Sequence, residues 1–428
     1  MIPAPAPAAL PDAANFGGET DSFEVPIEVG QSSAAEPNPF AQMQMQANGF
    51  GARPSGYSNP VGMGDFSMAN LFAENPLHGL SYSASLTGTY DSNPRQGYGG
   101  PNQTNDGDFF TSLGGSVNYR TKASALTFGA SYNGTYNYYF NNDELSAYNQ
   151  GGSLMANYNG GAFTASLMVG LSTNDGANRY YQATVSEFSV NYSLNASYRM
   201  SAKTSLDGSF AQRLNDPNGG YTATGSSNAN LSAMWHYSDR TQFGPGISYG
   251  TSSGETDNFR TTIGPTITVN YRLTGKVSLN SRIGLDFVQY EQASDDTSIS
   301  ASINLNYRAS ELWGMNLSYH QGGQANPGYA DGTQMISNLS LGYNRKILRA
   351  SWNIGINYEM GGSGTNANPY SDEVDSDYFS ITTGLSMPVF TNASARIFMN
   401  WDQNGGGYSG TSGDDSSFQV GAGLTWSF

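Results

Sequence analysis

The end of the chain most constrains its fold, because apolar and polar side chains alternate there in strict order. Residues 416–428 read S-S-F-Q-V-G-A-G-L-T-W-S-F. The apolar members from Phe418 to Phe428 occupy every second position. A period of two predicts a β-strand with one face in an apolar medium and the other in a polar one.

The same alternation begins at Leu80 and continues along the chain, which predicts about eighteen strands (16–20). The connections between them alternate in length. The short ones lie near 121–122, 159–161, 201–203, 238–240, 273–276, 309–311, 345–346 and 388–390. The long ones span 94–107, 140–146, 174–179, 216–221, 254–256, 292–295, 324–332, 362–375 and 405–415. This regularity predicts an all-β, antiparallel up-and-down barrel with short periplasmic turns and long outer loops.

Composition favours a transmembrane barrel over other β folds. Apolar residues make up 37% and charged residues 12% of the chain, yet aromatics reach 13%. Disordered chains combine low apolar content with high charge and few aromatics. A lipid-facing barrel with a polar lumen needs apolar residues only at alternate strand positions. Many strands are too long for a β-sandwich and no blade repeat indicates a propeller, whereas a fibre-like solenoid remains an alternative.

The sequence also restricts compartment and partners. No apolar run approaches the ~20 residues of a transmembrane helix, and the first residues, M-I-P-A-P-A-P-A-A-L-P, do not resemble a signal peptide. We therefore expect a processed, mature form without its signal. The chain has no cysteine, which excludes disulfides and thiolate metal sites. A net charge of −16 gives no reason to expect nucleic-acid binding.

Two domains are predicted. Residues 1–78 are rich in Pro, Met and Gln and show no sustained period, whereas residues 79–428 form the barrel. The extension carries eight acids against Arg53. It is interpreted as a periplasmic tether, a segment that binds a periplasmic or surface protein partner, or a plug of the lumen.

Charged side chains opposite the apolar face are predicted to line a pore. These residues are Arg120, Arg199, Asp207, Arg213, His236, Arg272, Arg282, Asp286, Arg308, His320 and Arg396. Four of the arginines follow a tyrosine, the residue that anchors barrels at the lipid interface. Each inward arginine either pairs with a carboxylate of the wall or tunes ion selectivity.

Acidic residues concentrate in the predicted long loops and indicate an outer mouth that favours cations. The densest group could supply oxygen ligands to Ca²⁺. It contains Asp372, Glu373, Asp375 and Asp377. Apart from this possible Ca²⁺ site, no cofactor is predicted.

The sequence offers no catalytic constellation. His78, His236 and His320 are its only histidines, and no Ser or Asp stands in a recognisable relation to them. We therefore predict that the protein is not an enzyme and that His236 and His320 are polar wall residues.

Two stretches resemble known families. The terminal Leu424, Trp426 and Phe428, all predicted to face lipid, resemble the C-terminal signal of outer-membrane barrels. The first strand, which runs through Tyr90 and Asp91, resembles that of β-barrel porins associated with exopolysaccharide gene clusters. The resemblance implies insertion by the barrel assembly machinery and contact with outer-membrane lipid and lipopolysaccharide. It implies a porin-like channel for small hydrophilic solutes or exported glycan. The alternative is an occluded barrel that anchors an envelope or surface assembly through its loops and N-terminal extension.

Overall fold

The computed structural model describes residues 79–94, 107–178, 183–218, 223–253, 260–290, 295–325, 333–363, 376–405 and 415–428. These residues form eighteen strands and one short 3₁₀ turn, Asp143–Leu145. The strands are β1 Leu80–Asp91, β2 Asp108–Ala123, β3 Leu126–Tyr139, β4 Ala147–Asn159, β5 Phe163–Asn178, β6 Ala183–Arg199, β7 Thr204–Pro217, β8 Thr224–Ser238, β9 Thr241–Ser253, β10 Arg260–Thr274, β11 Val277–Tyr290, β12 Asp296–Ser310, β13 Trp313–Ala325, β14 Thr333–Ile347, β15 Ala350–Ser363, β16 Ser376–Phe390, β17 Ala393–Gly405 and β18 Asp415–Ser427.

The strands close into a single antiparallel barrel. Each strand pairs with its neighbours in sequence, and β1 pairs with β18 to complete the ring. Closure leaves no unpaired sheet edge within the barrel, as a wall surrounded by lipid requires. The predicted up-and-down barrel of about eighteen strands is therefore confirmed.

The connections divide between the two ends of the barrel. β1 starts and β18 ends at the mouth that carries the eight short turns, which we call the turn mouth. Three predicted turns were wrong by two or three residues. Lys122, Lys346 and Phe390 belong to strands, where they pair with Thr127, Ser351 and Ala393. The strands continue past the end of the apolar alternation because backbone pairing near a mouth does not depend on whether a side chain is apolar or polar.

The two faces of the wall differ as the alternation predicts. Large apolar side chains point outward, and Leu113 and Ile267 are each 62% exposed on the isolated chain. Small polar side chains such as Ser112 and Ser252 point inward and are buried. An apolar exterior around a polar interior is the arrangement that a bilayer stabilises. Some inward positions nevertheless carry apolar groups, among them Met234 and Val288.

Two glycine–proline pairs interrupt the ladder on neighbouring strands. The β10–β11 ladder skips Gly264 and Pro265, and the β8–β9 ladder skips Gly244 and Pro245. Proline has no N–H to donate, so a ladder bond is lost there. A Cβ atom at Gly264 would overlap the carbonyl oxygen of Leu285. Glycine is therefore needed at this position because the adjacent backbone approaches so closely.

We expect Gly264→Ala to lower the free energy of unfolding by about 2–3 kcal/mol, since the backbone of β11 must move to admit the methyl group. Gly88→Ala is the matched control, because a Cβ there meets no atom within 4 Å. Urea unfolding of the refolded barrel, followed by tryptophan fluorescence, measures both. Equal unfolding midpoints for the two variants would contradict the close approach of β10 and β11.

Candidate channel wall

The predicted pore-lining residues all lie at strand positions opposite in parity to the exposed apolar residues. Asp207 is buried on the inward face. Arg199, Arg272 and Arg308 are exposed, because they stand at the turn mouth rather than deep in the wall. The half-buried members are Arg120, Arg213, His236, Arg282, Asp286, His320 and Arg396. That these side chains line a conducting pore remains a prediction.

Several of these side chains are fixed by hydrogen bonds to small polar neighbours. Ser197 Oγ donates to Asp207 Oδ1 over 2.6 Å, from the adjacent strand. Arg213 Nε donates to Asn215 Oδ1 over 3.0 Å. The hydroxyl of Ser205 lies 3.2 Å from His236 Nε2. These bonds hold charged and polar groups against the wall.

The strand register also joins wall residues into a row. Arg282 pairs with Ser302, which pairs with His320. The row continues to Asn338 and from there to Glu359. Because the strands of a barrel tilt, such a row climbs around the inside. The row begins at Arg282, five residues after β11 starts at the turn mouth, and it ends near the long loops.

Arg396 has an aromatic neighbour. Its guanidinium carbon lies 5.1 Å from the ring centroid of Phe398, an inward side chain that is 4% exposed. A cation over an aromatic face is attracted by the ring quadrupole. The contact restricts the arginine to the wall near the turn mouth.

A buried polar cluster spans the closing seam of the barrel, and we call it the seam cluster. Asp91 Oδ1 accepts hydrogen bonds from Ser417 Oγ at 3.1 Å and from the backbone N–H of Asn93 at 2.9 Å. Asp91 Oδ2 accepts from Gln419 Nε2 at 2.8 Å. Asn400 Nδ2 donates in turn to Gln419 Oε1 at 3.3 Å. One carboxylate therefore ties β1 to β18, and Gln419 extends the network to β17.

A second carboxylate organises the connection between β3 and β4. Asp108 is fully buried and accepts hydrogen bonds from the backbone N–H groups of Phe109, Asn141 and Asn142. The side-chain amides of both asparagines also donate to it, at 2.8 and 3.0 Å. Asp108 thus determines how residues 140–146 leave the barrel wall.

An apolar cluster lies beside this connection. The rings of Phe110 and Tyr139 stack with centroids 4.7 Å apart, and Leu145 of the 3₁₀ turn joins them. All three are buried. The sequence carries a signal for this cluster that the strand predictions did not use. In a strand, adjacent aromatics such as Phe109 and Phe110 must point to opposite faces, so one of each pair points inward.

The seam cluster was not predicted from the sequence, for a different reason. Asp91 and Gln419 are 328 residues apart, and only the closing register brings them together. No local pattern marks Gln419 or Asn400 as its partners.

The predicted Ca²⁺ ligands lie largely outside the described residues. Asp372, Glu373 and Asp375 are not among them, and Asp377 is an exposed residue near the start of β16. Within the described ranges, no group of three or more His, Asp or Glu side chains could hold a metal ion. The Ca²⁺ site therefore stays a prediction.

The terminal aromatic of the predicted C-terminal signal meets the first strand. Phe428 exchanges backbone hydrogen bonds with Tyr82, at 2.9 and 3.3 Å. Their rings stack with centroids 5.3 Å apart and an interplanar angle of 15°. Leu424 and Phe428 are exposed on the outward face, and Trp426 is half-buried.

Among the helical segments of the described chain, none has the length and apolar character to span a bilayer.

Comparisons with known proteins found structural neighbours only. No family model matches the chain, and no curated protein sequence matches it significantly. The outer membrane protein OpdK of Pseudomonas aeruginosa matches with 11% identity and a TM-score of 0.43, over 82% of this chain and 99% of that one. OccAB4 of Acinetobacter baumannii matches with 10% identity and a TM-score of 0.43, over 82% and 98%. The siderophore receptor PirA of Pseudomonas aeruginosa matches with 11% identity and a TM-score of 0.39, over 82% and 81%.

The fold and the wall together define a class. A closed antiparallel barrel with an apolar exterior and a polar, charged interior is a transmembrane β-barrel.

Proposed function

We propose that the protein is a porin-like channel of the bacterial outer membrane that passes small hydrophilic solutes. One observation carries the proposal. Eighteen strands close into a ring whose inward face bears polar and charged side chains of both signs. Barrels of 16–18 strands are wide enough to leave an aqueous channel.

The charges of the wall supply a basis for discrimination. On the inward face, Arg282 stands between the mouths and Arg396 near the turn mouth, while Asp91 and Asp108 stand near the long loops. A fixed charge ~10 Å from a permeating ion in water changes its energy by about 0.4 kcal/mol, or roughly twofold in occupancy. Several charges of each sign therefore select among ions by their positions along the axis.

Single-channel recording of the purified protein in a planar bilayer, with and without residues 1–78, tests the proposal. Large steps from the full chain are expected. Steps seen only after removal of residues 1–78 would still support a channel and would make that segment its plug. Silence from both forms, with the barrel folded, would contradict the channel and favour the occluded scaffold. Adding charged oligosaccharides to one side would test exported glycan as the solute, through blockage of the current.

We further expect Arg282→Ala to raise the cation-to-anion permeability ratio about fourfold at low salt, because the loss of one positive charge favours the cation and disfavours the anion by about twofold each. Reversal potentials under a salt gradient measure the ratio. Arg349→Gln is the control, since Arg349 lies in an exposed turn outside the wall. An unchanged ratio for Arg282→Ala would mean that permeating ions do not pass this side chain.

A further inference from the structure

The turn mouth carries an uneven distribution of charge. Along the strands β6 to β15, nine basic residues lie within three positions of a short turn, and all are exposed. We call them the basic arc: Arg199, Lys203, Arg240, Arg272, Lys276, Arg308, Arg345, Lys346 and Arg349. Only Asp239 and Glu311 oppose them at the same turns, so the arc has a net charge of +7 (9 − 2).

Backbone hydrogen bonds hold these basic residues close to one another, and no acidic side chain pairs with them in the described part of the chain. The N–H of Arg272 donates to the carbonyl of Arg240 over 2.7 Å, and that of Arg308 donates to the carbonyl of Lys276 over 2.7 Å. Such bonds place the basic residues of neighbouring turns side by side. Within the part of the chain that the structure describes, none of the nine side chains forms an ion pair. Like charges held this close repel one another, so an anionic group that covers them is favoured.

The same chain supplies a complementary segment. Residues 1–78 contain eight acids and one base, a net charge of −7 (1 − 8). Six of the acids fall within residues 12–36, where there is no basic residue. The six are Asp12, Glu19, Asp21, Glu24, Glu28 and Glu36.

The extension leaves the barrel at the turn mouth and is long enough to reach the arc. Gly79 accepts a hydrogen bond from the N–H of Arg120 at that mouth, directly before β1. Eighteen strands at their usual spacing and tilt enclose a mouth roughly 35 Å across. By the statistics of an unstructured coil, 43 residues, the separation of Glu36 from Gly79 (79 − 36), correspond to an average span of about 33–39 Å. The acidic segment therefore falls at the distance of the opposite rim, which β10 occupies.

We propose that residues 12–36 dock on the basic arc of their own barrel. The contact is electrostatic, between the carboxylates of residues 12–36 and exposed Lys and Arg side chains, and so it weakens as salt rises. The docking involves the turn mouth alone and does not depend on whether the lumen conducts.

Zero-length carbodiimide crosslinking of the full-length protein in vesicles tests the docking. The reagent joins carboxylates to amines in direct contact, and the chain has four lysines, Lys122, Lys203, Lys276 and Lys346. The last three belong to the arc, whereas Lys122 lies in β2 and serves as an internal control. We expect peptides from residues 12–36 to be joined to the arc lysines at least fivefold more often than to Lys122. We expect 1 M NaCl to reduce these products at least fivefold.

A charge variant separates docking from mere proximity. Arg240→Gln, Arg272→Gln and Arg308→Gln together keep every lysine, and they should reduce the arc products severalfold. Asp143→Asn with Glu144→Gln, at the other mouth, should leave them unchanged. Equal yields on Lys122, products insensitive to salt, or full yields in the triple variant would overturn the proposal. Crosslinks between labelled and unlabelled copies in an isotope mixture would also overturn it, because the occupant would then be a second molecule.

Discussion

Asp91→Ala is expected to lower the free energy of unfolding of the barrel by about 3–5 kcal/mol, the largest effect of any single wall substitution considered. The carboxylate of Asp91 is fully buried and accepts from Ser417, Gln419 and the backbone of Asn93. Removing it leaves buried donors without their charged acceptor. Each hydrogen bond to a charged group contributes about 1.5–3 kcal/mol, and unpaired donors add a desolvation cost.

Two further variants make this measurement specific. Asp91→Asn keeps one carbonyl acceptor, so its loss should be about half that of Asp91→Ala. Asp239→Ala removes an exposed turn carboxylate and should change stability by less than about 0.5 kcal/mol. Urea titration in vesicles measures all three. If Asp91→Ala unfolds at the same midpoint as Asp239→Ala, the seam cluster does not hold β1 to β18.

Deleting Phe428 is expected to reduce the amount of folded protein in the outer membrane about tenfold, while costing the purified barrel only about 1–2 kcal/mol. The small effect in vitro follows from what Phe428 touches. It contributes one stacked ring and two backbone hydrogen bonds, all to Tyr82. The large effect in cells follows from our hypothesis that the assembly machinery recognises Leu424, Trp426 and Phe428.

Comparing cells with refolding into pure lipid vesicles separates these two roles. Phe428→Tyr keeps the aromatic ring and should behave nearly as the parent protein in both assays. A deletion that impairs vesicle refolding as severely as it impairs insertion in cells would show that Phe428 acts only through closure. The recognition hypothesis would then fail.

The side of the wall that each residue faces could be predicted from sequence, but the residue at which each strand ends could not. Tyr198 is exposed on the outward face, as the alternation predicts. Arg199 has the predicted parity and lies beside a short turn, as its place in the sequence predicts, but its side chain is exposed. A period of two determines the face and carries no information about height along the strand. Lys346 shows the same weakness, since the strand continues past the residues predicted as its turn.

The hydrogen-bonded clusters could not be predicted from the sequence, and the reason is physical. Asp108 stands beside a long connection, as predicted for the acids, but it is fully buried by the amides of Asn141 and Asn142. A carboxylate in an Asp- and Asn-rich stretch is usually solvated. Only the path of the backbone shows that Asp108 accepts several hydrogen bonds. Asp91 depends on a register set at the far end of the chain.

The seam cluster also bears on the order in which the wall can form. Among the described residues, seventeen of the eighteen strand pairings join neighbours in sequence, and each closes a loop far shorter than the whole barrel. The pairing of β1 with β18 joins residues such as Asp91 and Gln419 across 328 positions. By chain statistics, closing that loop costs about 3 kcal/mol more entropy than closing a 15-residue hairpin. If the other seventeen pairings form first, the curved sheet already holds its two edge strands, β1 and β18, near each other. Most of this entropy cost is then avoided. The hydrogen bonds that the buried carboxylate of Asp91 makes to β18 therefore form last, after all the other strands have paired.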